Sequence, residues 1–181
     1  EELSVVIDEI EDEGILVKSE SELIKSAMKF DDKMISEILT PRVDIVAIDK
    51  TSTLENLKNV LLSSGFSRIP VYSDSPEYIT GYVLRDEALE QLTEDHFNKK
   101  LGDIKRKIPY FNENKSIDDI FDSMLKQKSH ISLIIDEYGC FQGILTMEDI
   151  IETIFGLEIT DESDVVTDMR QYARERWQQR L

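Results

Sequence analysis

Thr146 and Asp149 stand three residues apart in Gly143-Ile144-Leu145-Thr146-Met147-Glu148-Asp149. Phe141 to Leu145 predict a strand, and a helix is predicted to start near Met147. A hydroxyl and a carboxylate at this spacing lie on one side of a first helical turn, beside its unbonded N–H groups. The hydroxyl and those N–H groups suit a phosphate. The carboxylate suits a pair of ribose hydroxyls. The same two residues also make an ordinary helix-capping box, Thr-x-x-Asp in place of Thr-x-x-Glu. Taken alone, they read first as a capping box, with binding the alternative; the surrounding chain changes that balance.

The rest of the chain must position this pair. It has 181 residues, 40% hydrophobic and 33% charged, enough for one ordinary domain or two small units sharing a core. Its formal charge of −17 argues against a nucleic-acid surface, which needs clustered Lys and Arg, and against docking on anionic lipid. Nucleotide binding stays open, with a metal counter-ion expected. The single cysteine, Cys140, excludes an internal disulfide and suits a reducing compartment. No apolar run approaches the roughly 18 residues of a membrane span, and no signal peptide opens the chain. The opening Glu-Glu-Leu, already in helical pattern, reads as part of something longer.

Leu3, Val6, Ile7 and Ile10 predict an amphipathic helix over 2–13, stopped at Gly14. Ser19 and Glu22 match the capping box of a second helix, with Leu23, Ile24, Ala27 and Met28 as its apolar residues. Asp31 or Asp32 is expected to cap a third, carrying Met34, Ile35, Ile38 and Leu39 and ended by Thr40-Pro41. This acidic segment, 1–33, reads as a connector.

From there the chain repeats itself. Strands are predicted over 43–48, 69–72 and 79–84, with helices after Thr53 and over 86–92. The second pass has strands near 108–111 and over 131–135 and 141–145, with helices after Ser116 and over 147–155. Thr53 and Ser116 stand 63 positions apart, Gly81 and Gly143 62 apart; the slip falls in the strand-to-strand turn, where an insertion costs least. Each unit is β-α-β-β-α, and a unit of about 60 residues buries little surface alone, so the two are expected to pack together. The boundaries expected are 34–95 and 96–156.

A tandem β-α-β-β-α repeat ending in Gly, two apolar residues and Thr-x-x-Asp resembles a pair of cystathionine-β-synthase (CBS) domains, a Bateman module. The resemblance covers roughly residues 34–156 and implies a mixed α/β (α+β) fold with flanking N- and C-terminal helices. Ile38-Leu39-Thr40-Pro41-Arg42-Val43-Asp44 resembles the opening of the first CBS repeat in the CorC / cyclin M (CNNM) magnesium-transport family. Ser67-Arg68-Ile69-Pro70-Val71-Tyr72 resembles that family's Arg-Ile-Pro-Val strand, and Glu158 to Asp164 its acidic linker after the second repeat.

The resemblance implies the cytosolic, regulatory part of a membrane protein that binds ATP, usually with Mg2+. It implies that Thr146 contacts phosphate or ribose, Asp149 holds the ribose hydroxyls and Arg68 meets the phosphates. Thr40 and Phe66 would line the adenine pocket, with Ile144 and Glu148 as wall residues and Pro70 in the strand beside them. No protein ligand to the metal is expected. Partners implied are a second copy, through the CBS repeats, and the membrane domain of a parent transporter. In the first repeat, Gly81-Tyr82-Val83-Leu84-Arg85-Asp86-Glu87 has Leu84 in the hydroxyl position, so one occupied site per chain is expected. Residues 157–181 read as the acidic linker and an amphipathic helix, with Val166, Met169, Ala173 and Trp177 on one side and Arg170, Arg174 and Arg180 on the other.

Catalysis finds little to carry it. His96 and His130 are the only histidines and neither has a zinc-ligand spacing. Cys140 lacks a neighbouring base, and no Gly-x-x-x-x-Gly-Lys-Ser/Thr loop is present. Arg68 has an alternative as the ion-pair partner of Asp74. The acidic runs 8–13 and 161–164 read as solvated faces or linkers, with direct binding of divalent cations the alternative. A structural dimerisation module with a vestigial pocket is the other function class the sequence allows.

Overall fold

Helix α7 (Ile117–Gln127) shows how local signals set the elements. Ser116, in extended backbone, accepts the Asp119 amide proton at 3.2 Å, and Lys128 closes the helix in the left-handed region at φ 51°. Ile117, Ile120 and Met124 form its buried stripe. The computed structural model describes residues 2–28, 33–63 and 65–155. In chain order these form α1 (Glu2–Asp12), α2 (Lys18–Met28), α3 (Ile35–Ile38), β1 (Thr40–Pro41), β2 (Ile48–Asp49), α4 (Leu54–Ser63), β3 (Arg68–Ser73), β4 (Ser75–Leu84), α5 (Arg85–Thr93), α6 (Leu101–Ile104), β5 (Tyr110–Asn112), α7, β6 (Ile131–Ile135), β7 (Phe141–Thr146) and α8 (Met147–Phe155).

The β-α-β-β-α pattern appears twice. In the first sheet β2 runs parallel to β3, and β3 antiparallel to β4. In the second, β5 runs parallel to β6, and β6 antiparallel to β7. The chain then does something the repeat pattern does not suggest. β1, from ahead of the first repeat, pairs antiparallel with β7 at the edge of the second sheet, Thr40 opposite Ile144. Ile35 and Leu39 follow it into the second sheet's core, with Ile120, Ile134, Leu145 and Ile150.

Each sheet has its own helix-covered core; Leu54, Leu61, Val71, Val83 and Ala88 anchor the first. A third apolar cluster joins the repeats: Ile79, Tyr72 and Tyr82 of the first sheet meet Ile131, Leu133, Phe141 and Ile144 of the second. β6 is therefore covered on both faces, Ile134 toward α7 and α8, Ile131 and Leu133 toward the other repeat. This explains why apolar residues occupy both faces of the strand. Its one polar residue, Ser132, is fully buried and donates to the Leu145 carbonyl at 3.1 Å.

Several expectations need correction. Residues 43–48 are not a strand: Arg42–Asp44 form a 3₁₀ turn, and only Ile48–Asp49 pair. Val43 is 79% exposed and Val46 42%, while Ile45, Ala47 and Ile48 pack against the cores, so the run does not alternate or bury as a strand would. Ser19 does not cap α2; the helix begins at Lys18, and the Val17 amide donates to Glu20 Oε2 at 3.0 Å. The third helix is a single turn entered through Met34, with Glu37 accepting from the Met34 amide at 3.5 Å. Asp31 and Asp32 lie outside the described residues, as do the acidic linker and the C-terminal helix expected over 157–181. Helix α6 was not foreseen, because four residues are too few for periodicity to register.

Candidate functional site

The strand β7 delivers Thr146 to the first turn of α8, and the expected pair is closed there. The Thr146 hydroxyl donates to Asp149 Oδ2 at 2.7 Å, and the Thr146 amide donates to the same oxygen at 2.8 Å. The Asp149 amide donates back to Thr146 Oγ1 at 3.1 Å. This is a complete capping box. It fixes one rotamer of the carboxylate at the positive end of α8, where negative charge is favoured. The box accounts for the capping reading in full and sets Asp149 at the start of α8.

Arg68 opens β3 in the other repeat. Its Nη1 lies 3.4 Å from Glu148 Oε1, not beside Asp74, which sits in the β3–β4 turn at φ 67° and accepts from Ser73 Oγ. The Arg68 side chain is 23% exposed and that of Glu148 40%, a partly buried pair joining the two repeats. Glu148 Oε2 is buried with no hydrogen-bond partner among the described residues. A buried acceptor without a donor is costly. It fits a ligand that brings a hydroxyl or an amine.

Thr40, 9% exposed, faces Ile144 across the β1–β7 pairing. Gly143 permits this approach, since a Cβ there would stand 2.3 Å from the Thr40 carbonyl oxygen. The structure thus gathers Thr40, Arg68, Ile144, Thr146, Glu148 and Asp149 around the start of α8. Phe66, half-buried, precedes β3 two residues before Arg68. Pro70 is buried in β3 opposite Tyr82, within the first sheet. His96 faces Glu94 at 3.4 Å, and His130 and Cys140 are exposed.

One residue of the matching place in the first repeat escaped the sequence. Arg106 bridges Tyr82 antiparallel, and its Nη2 and Nε donate to Glu87 at 2.8 and 3.2 Å. The hydrogen bonds and charge of Glu87 raise the guanidinium above its ordinary pKa, so Arg106 stays a cation. Only the need for Gly81, whose Cβ would lie 2.3 Å from the Arg106 carbonyl oxygen, hinted that a segment closes on this strand.

Two α/β units meeting face to face, with a capped helix start and a cation from the opposite unit at their junction, define a CBS pair. Residues 35–94 and 101–156 both match the CBS domain, and the chain belongs to the CBS-domain family. Its pair is homologous to those of CorC and the CNNM family. It is 28% identical over 179 residues to the magnesium and cobalt efflux protein CorC of Escherichia coli K12, covering 98% of this chain and 61% of that protein. The chain thus spans about three-fifths of that curated relative's length. The solved CBS domain of the bacterial CNNM/CorC family Mg2+ transporter superposes with a TM-score of 0.79 at 31% identity, covering 88% of this chain and 97% of that one. A structure of such a domain in complex with ATP matches with a TM-score of 0.70 at 32% identity, over 76% and 97% of the two chains.

Proposed function

We propose that this chain is a regulatory, non-catalytic module that binds ATP with Mg2+ between its two repeats. It would control an attached CorC / cyclin M-like transporter of magnesium or another divalent cation from the cytoplasmic side of the membrane. The observation that carries this reading is the Arg68–Glu148 pair, with its orphaned buried oxygen, one residue from the Thr146–Asp149 box. Asp149 would hold the ribose hydroxyls. Thr40 and Ile144, with Phe66 nearby and Pro70 behind in β3, would border the base. Arg68 would exchange Glu148 for phosphate, since both are charge-assisted partners of a guanidinium.

ATP brings about four negative charges to a chain of −17, more than one guanidinium neutralises. Mg2+ takes phosphate oxygens and several waters, so it needs no all-protein cage; Glu148 would be a candidate outer-sphere partner. ATP affinity is therefore expected to rise in excess magnesium, and AMP affinity to change much less. Calorimetry with both nucleotides, in magnesium and in chelator at matched ionic strength, checks this. Equal ATP affinity in chelator, or an equal response from AMP, contradicts the metal bridge.

The second copy implied by the resemblance has apolar surface to meet. Leu62 on α4, Leu125 on α7 and Phe155 on α8 are 65%, 53% and 43% exposed. We expect a two-fold homodimer through these helices, visible by light scattering at micromolar concentration. A monomer at every concentration, with or without ATP, contradicts it.

A further inference from the structure

The two repeats build the same backbone cleft twice but furnish it differently. Thr40 closes on the second sheet opposite Ile144, and Arg106 closes on the first opposite Tyr82. Tyr82 and Ile144 each follow the glycine that admits the approaching carbonyl, Gly81 and Gly143. The Arg106 segment is clamped by two backbone bonds, Arg106 amide to Tyr82 carbonyl at 2.7 Å and Tyr82 amide to Arg106 carbonyl at 3.1 Å. The helix starts also correspond: the Met147 amide donates to the His130 carbonyl at 3.0 Å and the Arg85 amide to the Ser67 carbonyl at 2.9 Å. Leu84 thus stands in the place of Thr146, Glu87 in that of Asp149 and Arg106 in that of Thr40.

The side chains decide what each cleft can accept. In the second, a short threonine leaves room before the capping carboxylate. In the first, the Arg106 guanidinium spans the gap and holds Glu87 through two parallel donors, the strongest geometry available to a carboxylate. Leu84 adds no hydroxyl. Arg68 pairs across β3–β4 with Leu84, and the residue so placed opposite Thr146 is Ile131, which brings no charge toward the first cleft.

We propose that Arg106 is the residue that closes the first cleft: it occupies Glu87 as a nucleotide ribose would, and so restricts each chain to one nucleotide, in the second cleft. This rests on the adenine-nucleotide reading above and adds a determinant of stoichiometry. The pair is half-exposed, Arg106 at 50% and Glu87 at 42%, so it adds little to the stability of the fold.

The test is AMP titration of the 181-residue chain by calorimetry; AMP suits a cleft that lacks the Arg68 cation. The wild type is expected to bind one AMP per chain. Leu84→Thr with Arg106→Thr, which gives the first cleft the furniture of the second, is expected to bind two. Adding Asp149→Ala to that variant is expected to return it to one. Arg106→Gln alone, should the double variant fail to fold, is expected to show a second event at least 10-fold weaker than the first. Two AMP per wild-type chain, or one per chain in both folded variants, overturns the role of Arg106 and leaves the nucleotide reading standing. No binding by wild type or variants overturns both.

Discussion

Asp149→Ala is expected to weaken adenine-nucleotide binding by about 100- to 10,000-fold, while Glu87→Ala leaves it nearly unchanged. Two charge-assisted hydrogen bonds from ribose hydroxyls contribute on the order of 1.5–3 kcal/mol each, and about 1.4 kcal/mol is a factor of ten in affinity. Asp149 also caps α8 through Thr146, so the substitution removes a cap and costs about 1 kcal/mol of stability. For a chain of this size that lowers the melting temperature by about 2–4 °C, far too little to empty the site by unfolding. Asp149→Asn keeps an acceptor in the same rotamer but loses the charge, and should fall between the two. Glu87, although in the matching place, is engaged by Arg106. Calorimetry on the variants, each checked by thermal melting, separates binding from folding. Equal losses at Asp149 and Glu87 contradict the one-site account.

Gly143→Val is expected to lose both stability and binding. A Cβ at Gly143 would stand 2.3 Å from the Thr40 carbonyl oxygen and 2.6 Å from Leu39 Cδ1. The leucine tip can turn aside, but a backbone oxygen held in the β1–β7 pairing cannot. β1 must therefore leave β7, and Thr40 leaves the cleft with it. Overpacking of this kind costs about 1–3 kcal/mol, occasionally more, and valine adds its two methyls to the clash. A fall in melting temperature of about 2–12 °C follows, together with loss of nucleotide affinity in the protein that remains folded. Gly102→Ala is the control: in α6 of the first repeat, its Cβ would meet the Lys50 carbonyl oxygen at 3.2 Å rather than 2.3 Å, which demands a shift of only a few tenths of an ångström. Differential scanning calorimetry and ATP titration of both variants make the comparison. A Gly143→Val protein that melts and binds like the wild type contradicts the close approach.

The local signals were legible because each rests on a few adjacent residues. Ser116 capped α7 as its type and position implied, and the apolar runs of β6 and α8 ended where periodicity ended. The Thr146–Asp149 box could be read from spacing alone, and the structure shows it closed. What the sequence hid is exchange between the repeats. Nothing in Thr40-Pro41 says that it will pair with a strand about a hundred residues later; that pairing is set by the tertiary meeting of two sheets. Arg106 was hidden for the same reason. It corresponds to Thr40 in space, yet the offset between them is 66 positions, not the 62 or 63 of the repeat. Residues 43–48 have the apolar composition of a strand without its burial, and the link they form leaves Val43 in solvent.

The central claim is that an adenine nucleotide sits at the start of α8, with Arg68 reaching it from the other repeat. A crystal structure of the chain grown with saturating ATP and magnesium tests it most directly. The account predicts ribose hydroxyls on the Asp149 carboxylate, Arg68 moved from Glu148 to the phosphates, a ligand donor on Glu148 Oε2, and Arg106 still clasping Glu87. ATP bound at Glu87 instead, or a second cleft in which Arg68 and Glu148 keep each other with no nucleotide between the repeats, would contradict it.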